Sequence, residues 1–249
     1  MSWLKSVAKS ILPGPVVGLY RRYKISSAVE SFAAYETRHR YGGRELRVAI
    51  GDPLAQGWYD HDWPLIPEIK HLKARRLKPG ALVFDLGAHQ AVVAMMLAEQ
   101  VHPGGKVVAV EASPHNAAAA KRNVALNPGL SVEILNAAIA AKPGELDFGV
   151  GFNGSVDDGT GAWGRVRVPA VTIDDLHECF GPPAVVFVDI EGFELEALKG
   201  AAKTLARAPD WFIEVHLDGG LQKFGGGLDA LLAYFDPTVY DLWMNAEGS

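Results

Sequence analysis

The stretch LVFDLGAHQAVVAMML, Leu82–Leu97, decides the fold. Its first five residues are apolar except for Asp85 and read as a buried strand. Beyond the turn the apolar spacing predicts a helix over about 90–101. A strand that runs straight into a helix opens a strand–helix–strand unit. The turn between them holds a single glycine, Gly87, with Ala88 and Ala91 where a second and third might stand. The ligand it serves must therefore be judged from the residues that meet the same mouth.

Outward from this stretch the pattern repeats. A helix over roughly 65–76 precedes it, and strands are predicted at Val107–Val110, Val132–Leu135, Ala184–Ile190 and Trp211–His216. Ser113–Pro114 reads as an N-cap followed by proline at the first helical position. A further helix is expected over Glu194–Ala208, ending at Pro209. Strands this apolar, alternating with helices, imply an α/β fold with a parallel sheet covered on both faces. Between the third and fourth strands lies a glycine-rich insertion flanked by short extended pieces near Glu145–Val150 and Arg165–Val168.

In such a sheet ligands sit beyond the carboxyl ends of the strands, near the reversal of strand order. The residues delivered there are Asp85, Gly87 and His89, then Glu111, then Asn136 and Ala137, then Asp189 and Glu191, and finally Glu214 and His216. This row of acids holds no lysine or arginine, which disfavours a phosphate-bearing ligand and suits one with hydroxyls and a positive centre. A nicotinamide dinucleotide also needs the second glycine that brings backbone close to a diphosphate, and Gly87-Ala88-His89-Gln90-Ala91 lacks it. S-adenosylmethionine has ribose and adenine, no phosphate, and a cationic sulfonium, so it is the expected cofactor. Glu111, 24 residues after Gly87, is placed to accept the ribose hydroxyls. Asp85 closes an apolar strand and is expected to organise the cofactor loop through backbone amides of the turn.

The chemistry such a sulfonium cofactor implies is methyl transfer, for which a general base helps where the acceptor has to lose a proton. His216 is the first choice, as an imidazole that can be neutral at pH 7. Asp189 and Glu191 flank Ile190 and should point to opposite faces while the strand persists. No metal ligand is assigned, although these groups together also suit a divalent cation with oxygen ligands. Asp60-His61-Asp62 is better read as a solvated loop, and Trp63 as a cover for the cofactor or a core residue. Ser155 and Trp163 in the glycine-rich stretch, together with Glu214, are expected to meet the acceptor.

Composition bounds the remainder. The 249 residues are 49% hydrophobic and 21% charged, as in a soluble globular domain. A net charge of −5 gives no reason to expect nucleic acid. The one cysteine, Cys179, suits a reducing compartment, and a cytoplasmic location is expected. No apolar run reaches the roughly 18 residues of a membrane span. Residues 1–64 read as an N-terminal extension and 65–249 as the catalytic domain. Met1–Lys24 carries five basic residues and no acid, and an apolar helical face there allows peripheral contact with an anionic membrane.

The blocks LVFDLGAH, VVAVEASPHN, ILNAAI, VPAVTIDDL, VFVDIEGFELEALKGA and WFIEVH, in that order, resemble the FkbM family of S-adenosylmethionine-dependent methyltransferases. The resemblance covers roughly residues 80–217, and TIDDL, DIEGFE and IEVH in series are its most specific part. It implies a class I methyltransferase (Rossmann-like) fold of seven strands and O-methylation, often of sugar or polyketide hydroxyls. Position by position, Asp85, Gly87, Ala88 and His89 match the cofactor loop, and Glu111 with Ala112 the ribose site. Asn136, Ala137 and Ala138 match the adenine site. Two departures stand out: His89 and Ala91 replace the usual Asn and second Gly, and Ala91 is expected to crowd the cofactor. Only one strand, Thr238–Met244, is evident where the fold usually ends in a hairpin. The rival readings are a non-catalytic binding or scaffold protein and an NAD-dependent oxidoreductase.

Overall fold

A computed structural model describes Ser27 and residues 31–149, 165–217 and 220–245. The predicted amphipathic helix near the N-terminus, and Ser155 and Trp163, lie outside the described residues. Five parallel strands form the central sheet: β3 (Leu82–Leu86), β4 (Lys106–Glu111), β5 (Val132–Asn136), β9 (Val185–Val188) and β10 (Asp210–Ile213). Their spatial order is β10-β9-β3-β4-β5, so the chain winds outward from β3 in one direction and then returns to its other side. The switch point lies between β3 and β9, which pair in register from Val83↔Val185 to Leu86↔Val188.

Alternation along each strand divides the core into two layers. Val83, Val107, Ala109, Val185 and Phe187 face a layer with helix α3 (Val92–Val101). Phe84, Leu86, Val108, Val110, Val186 and Val188 face a layer with α5 (Ile173–Phe180) and α6 (Glu194–Lys199). A hairpin of β1 (Tyr35–Tyr41) and β2 (Arg44–Ile50) turns at Gly42–Gly43, both at positive φ. Tyr41, Leu46, Val48 and Ile50 from it, and Ala55 and Tyr59 from α1 (Pro53–Tyr59), enter the α3 layer, so residues of the N-terminal extension complete the main core. Helix α2 (Pro67–Ala74) adds Ile69 and Leu72. Helix α4 (Pro114–Ala125) starts as its sequence predicts, with the Ser113 side chain accepting from Asn116 N. A second, three-stranded sheet is made of β6 (Ala138–Ile139), β8 (Arg165–Val171) and β7 (Gly144–Gly149), in that spatial order.

Three expectations give way. The fourth and fifth strands stop at Val188 and Ile213, short of the predicted Ile190 and His216. The helix expected over Glu194–Ala208 is two, α6 and α7 (Ala202–Leu205). Gly200 at the break lies where a Cβ would stand 2.5 Å from Ala140 O, and Asp174 accepts from Lys203 N and Thr204 N to start α7. Thr238–Met244 forms no strand, and β10 is the sheet edge among the described residues. Tyr240 instead packs on Phe235 and donates to Leu205 O, which carries this segment away from the strand edge. Short helix α8 (Leu228–Leu232) covers the α6 side. No helix among the described residues is long and apolar enough to cross a membrane.

Candidate active site

The carboxyl ends of β3, β4 and β9 open into a cleft of about 690 Å³, part of it continuous with solvent. Gly87, at φ 91°, forms its floor, and a Cβ there would stand 1.7 Å from Asp189 O. The single glycine of the turn is thus demanded by the close approach of the β9 end, and no further glycine is needed for that contact. The amides of Gly87 and Ala88 both donate to Val110 O. They are therefore not the partners that Asp85 was expected to have. Asp85 lies behind the turn, 2% exposed, with Oδ2 buried and without a hydrogen-bond partner. Burial, and then the charges of Asp189 and Glu111, push its carboxyl up to about 8.

Glu111 ends β4 facing the cleft. Its Oε2 accepts from His89 N (2.8 Å) and its Oε1 from Ser113 N (2.7 Å), so one carboxylate pins two loops. Burial raises it to about 7 against those two amides. His89 and Ala91 both adopt positive φ, 47° and 65°. The Ala91 methyl is fully buried in the α3 layer, not turned into the cleft, so the expected crowding of the cofactor is absent. His89 lines the cleft, its Nδ1 2.7 Å from Tyr59 Oη and its ring 5.1 Å from that of Trp58. Trp58 reaches the cleft from α1 and was missed in the sequence, where Trp63 drew the attention. Trp63 packs on Tyr41 and Tyr59, and its Nε1 donates to Trp58 O. The Asp60–Asp62 segment pairs with His39, as a surface loop does.

Ala112, Ala137 and Ala138 line the cleft beside Glu111, while Asn136 donates Nδ2 to the Glu111 and Ala112 carbonyls and so fixes the end of β4. Phe148 from β7, also missed, supplies an apolar wall. Ala88 is buried behind the turn.

Asp189, Glu191, Glu214 and His216 converge, although none lies on a strand. The first two do not take opposite sides. His216 Nε2 is 3.7 Å from Asp189 Oδ1, 3.6 Å from Glu191 Oε2 and 3.8 Å from Glu214 Oε1. Its Nδ1 lies 2.7 Å from Oε1 of the fully buried Glu194. Gly192, at φ 95°, makes the convergence possible: a Cβ there would stand 2.4 Å from Gly220 Cα. The hydrogen bond to Glu194 raises His216 to about 9, against its burial. Asp189 rises to about 7 through burial and the neighbouring charge of Glu214.

The chain matches the family model for the methyltransferase FkbM domain over residues 85–236. It belongs to the FkbM methyltransferase family. Among solved structures, the FkbM methyltransferase of Methylobacillus flagellatus KT is 18% identical at a TM-score of 0.46. That match covers 62% of this chain and 37% of the other, so this chain spans little over a third of that protein's length. A precorrin-6y C5,15-methyltransferase of Geobacter metallireducens is 15% identical, covering 68% and 70% of the two chains, at a TM-score of 0.42. A Geobacter sulfurreducens methyltransferase in complex with S-adenosyl-L-homocysteine is 20% identical, covering 59% and 47%, at a TM-score of 0.33. Among curated proteins none matches the chain.

The chain joins FkbM-family membership to an α/β fold around a five-stranded parallel sheet, and S-adenosylmethionine is the cofactor that membership implies. The residues present fit that cofactor. Glu111, Asp189 and Glu191 make the cleft acidic, and no lysine or arginine among the described residues lines it. Val110, Ile139 and Phe148 give it an apolar side.

Proposed function

We propose that the protein transfers a methyl group to a hydroxyl of a small acceptor, most simply a sugar or glycosylated metabolite. The observation that carries this reading is the pairing of Glu111 on one side of the cleft with Asp189 and Glu191 on the other. Glu111 accepts from His89 N and Ser113 N, is also hydrogen-bonded by the Asn116 side chain, and faces the cleft at the place proposed for a ribose diol. His89 and Trp58 border the methionine end of the cofactor in this reading, and the apolar side borders its adenine.

Bound S-adenosylmethionine supplies an electrophilic methyl, whose bond to sulfur breaks, leaving the electron pair on sulfur, as the bond to the acceptor oxygen forms. The chain's part is to hold that oxygen about 3–3.5 Å from the methyl carbon, which alone removes about 7–11 kcal/mol of barrier. Asp189 and Glu191 accept the acceptor's hydroxyl hydrogens and take up the proton. His216 Nε2 stands within 4 Å of both carboxylates and ties them to the Glu194 side of the cleft. Glu214 is assigned to the acceptor side. The lone Cys179 suits the cytoplasm, and the basic Met1–Lys24 segment suits occasional contact with an anionic membrane.

The test is mass spectrometry of sugar nucleotides and glycosides incubated with the protein and isotope-labelled methyl donor. A product carrying one labelled methyl as an ether is expected. Methyl incorporation confined to amines or carbon would overturn the hydroxyl reading.

A further inference from the structure

We propose that Asp189, Glu214 and His216 bind a hard divalent cation, Mn²⁺ or Mg²⁺, at the acceptor side of the cleft. This deepens the O-methyltransferase reading and rests on it for its role. One ligand atom from each of the three residues lies within 4.8 Å of the others, and all three are half-buried. Ligands around such an ion at about 2.0–2.2 Å stand roughly 3–4.4 Å apart, so small side-chain rotations close the set. Two carboxylates and one imidazole suit Mn²⁺ and Mg²⁺, and the nitrogen donor favours Mn²⁺.

Glu194 provides an independent observation. It is inaccessible to solvent, its Oε1 lies 2.7 Å from His216 Nδ1, and its Oε2 is buried without a hydrogen-bond partner. A buried carboxylate with an orphaned oxygen is costly unless positive charge compensates it. Placed on Nδ1, it fixes the imidazole with Nε2 turned to Asp189, Glu191 and Glu214, the arrangement by which a carboxylate orients a metal-binding histidine.

A cation there polarises an acceptor hydroxyl that joins its coordination sphere, and the proton leaves to water. Sugars offer neighbouring hydroxyls that chelate such an ion. Asp189 is then a ligand, and deprotonation no longer needs a side chain.

The experiment is titration of the chelator-treated full chain with Mn²⁺, following the six-line electron paramagnetic resonance signal of the free ion. One saturable site per chain is expected. Glu214→Gln and His216→Gln should each weaken it at least ten-fold, and Glu194→Gln should weaken it as a positioning residue. Circular dichroism identifies folded variants, and Glu214→Gln, at a half-exposed side chain, is the one least able to unfold the chain. A free-ion signal that tracks a protein-free control, or folded variants that bind as tightly as the parent, overturns the proposal. Calorimetry with S-adenosylhomocysteine on the same samples separates the two readings. Binding of the nucleoside without Mn²⁺ sinks the metal site alone, and Mn²⁺ binding without the nucleoside sinks the methyltransferase reading.

Discussion

Glu111 shows how one side chain serves both ligand and loops. Its carboxylate already holds the His89 and Ser113 amides, so its removal disorders the cleft as well as emptying the ribose position. Glu111→Gln keeps the shape and replaces one acceptor by a donor. We expect a 10–100-fold loss of S-adenosylhomocysteine affinity by calorimetry, from about 1.5–3 kcal/mol of charged hydrogen bonding. Unchanged affinity would remove it from the ribose site. Gly87→Ala sets its new methyl against the Asp189 carbonyl at 1.7 Å, at a φ of 91°. Because backbone must shift, we expect about 3 kcal/mol or more of destabilisation in urea unfolding. Both residues were legible in the sequence, because a strand end fixes where its last residue goes. The orientation of the His216 ring was not. It depends on Glu194, which follows a tight turn at Gly192 against Gly220, and that contact joins segments far apart in the chain.

Helix α1 has only seven residues and is held from outside itself. Asp52 caps it, accepting from Leu54 N and Ala55 N, and also accepts from Gln90 Nε2 of the cofactor turn. His115 Nε2 of α4 lies 2.9 Å from the same carboxylate. Burial opposes its charge, but the bonds from His115, Ala55 and Gln90 outweigh burial and hold Asp52 down to about 2. A folded pKa below the unfolded value means that stability is fully present above about pH 4 and lost as pH falls through about 2. The linkage amounts to about 2 kcal/mol. Asp52→Asn should therefore cost about 2–3 kcal/mol at pH 7 and flatten the acid limb of the stability profile between about pH 4 and 2. An unaltered limb in urea melts at stepped pH would show that Asp52 is not the group. Nothing in the sequence pairs Asp52 with Gln90 and His115, nor sends Trp58 to the cleft, because α1 precedes the repeating strand–helix pattern that makes the domain readable. The break at Gly200 was hidden for a related reason, since helical periodicity continues through it while the packing against Ala140 does not.

Across the whole molecule the sheet was legible where alternate residues had to be apolar on both faces, as in VVFV of β9, and illegible at its edge. YDLWM has the composition of a strand, but a strand exists only by pairing. Tyr240 ties the segment to Leu205 and Phe235, leaving Trp243 and Met244 about three-quarters exposed. The cleft lies over the winding reversal between β3 and β9, where two halves of the sheet and the N-terminal helix α1 meet, so binding a ligand there is linked to the stability of the entire chain. A ligand at 100 times its dissociation constant stabilises by about 2.7 kcal/mol. In a chain of this size each kcal/mol moves the midpoint by roughly 2–4 °C. S-adenosylhomocysteine should then raise Tm by about 5–10 °C in differential scanning fluorimetry. NAD⁺ at the same concentration should leave Tm unchanged, because its diphosphate meets Glu111, Asp189 and Glu191 in a cleft that no lysine or arginine among the described residues lines. A shift with NAD⁺ and none with S-adenosylhomocysteine would reverse the reading of the cleft, and Glu111→Gln, expected to reduce the S-adenosylhomocysteine shift, ties the effect to this site.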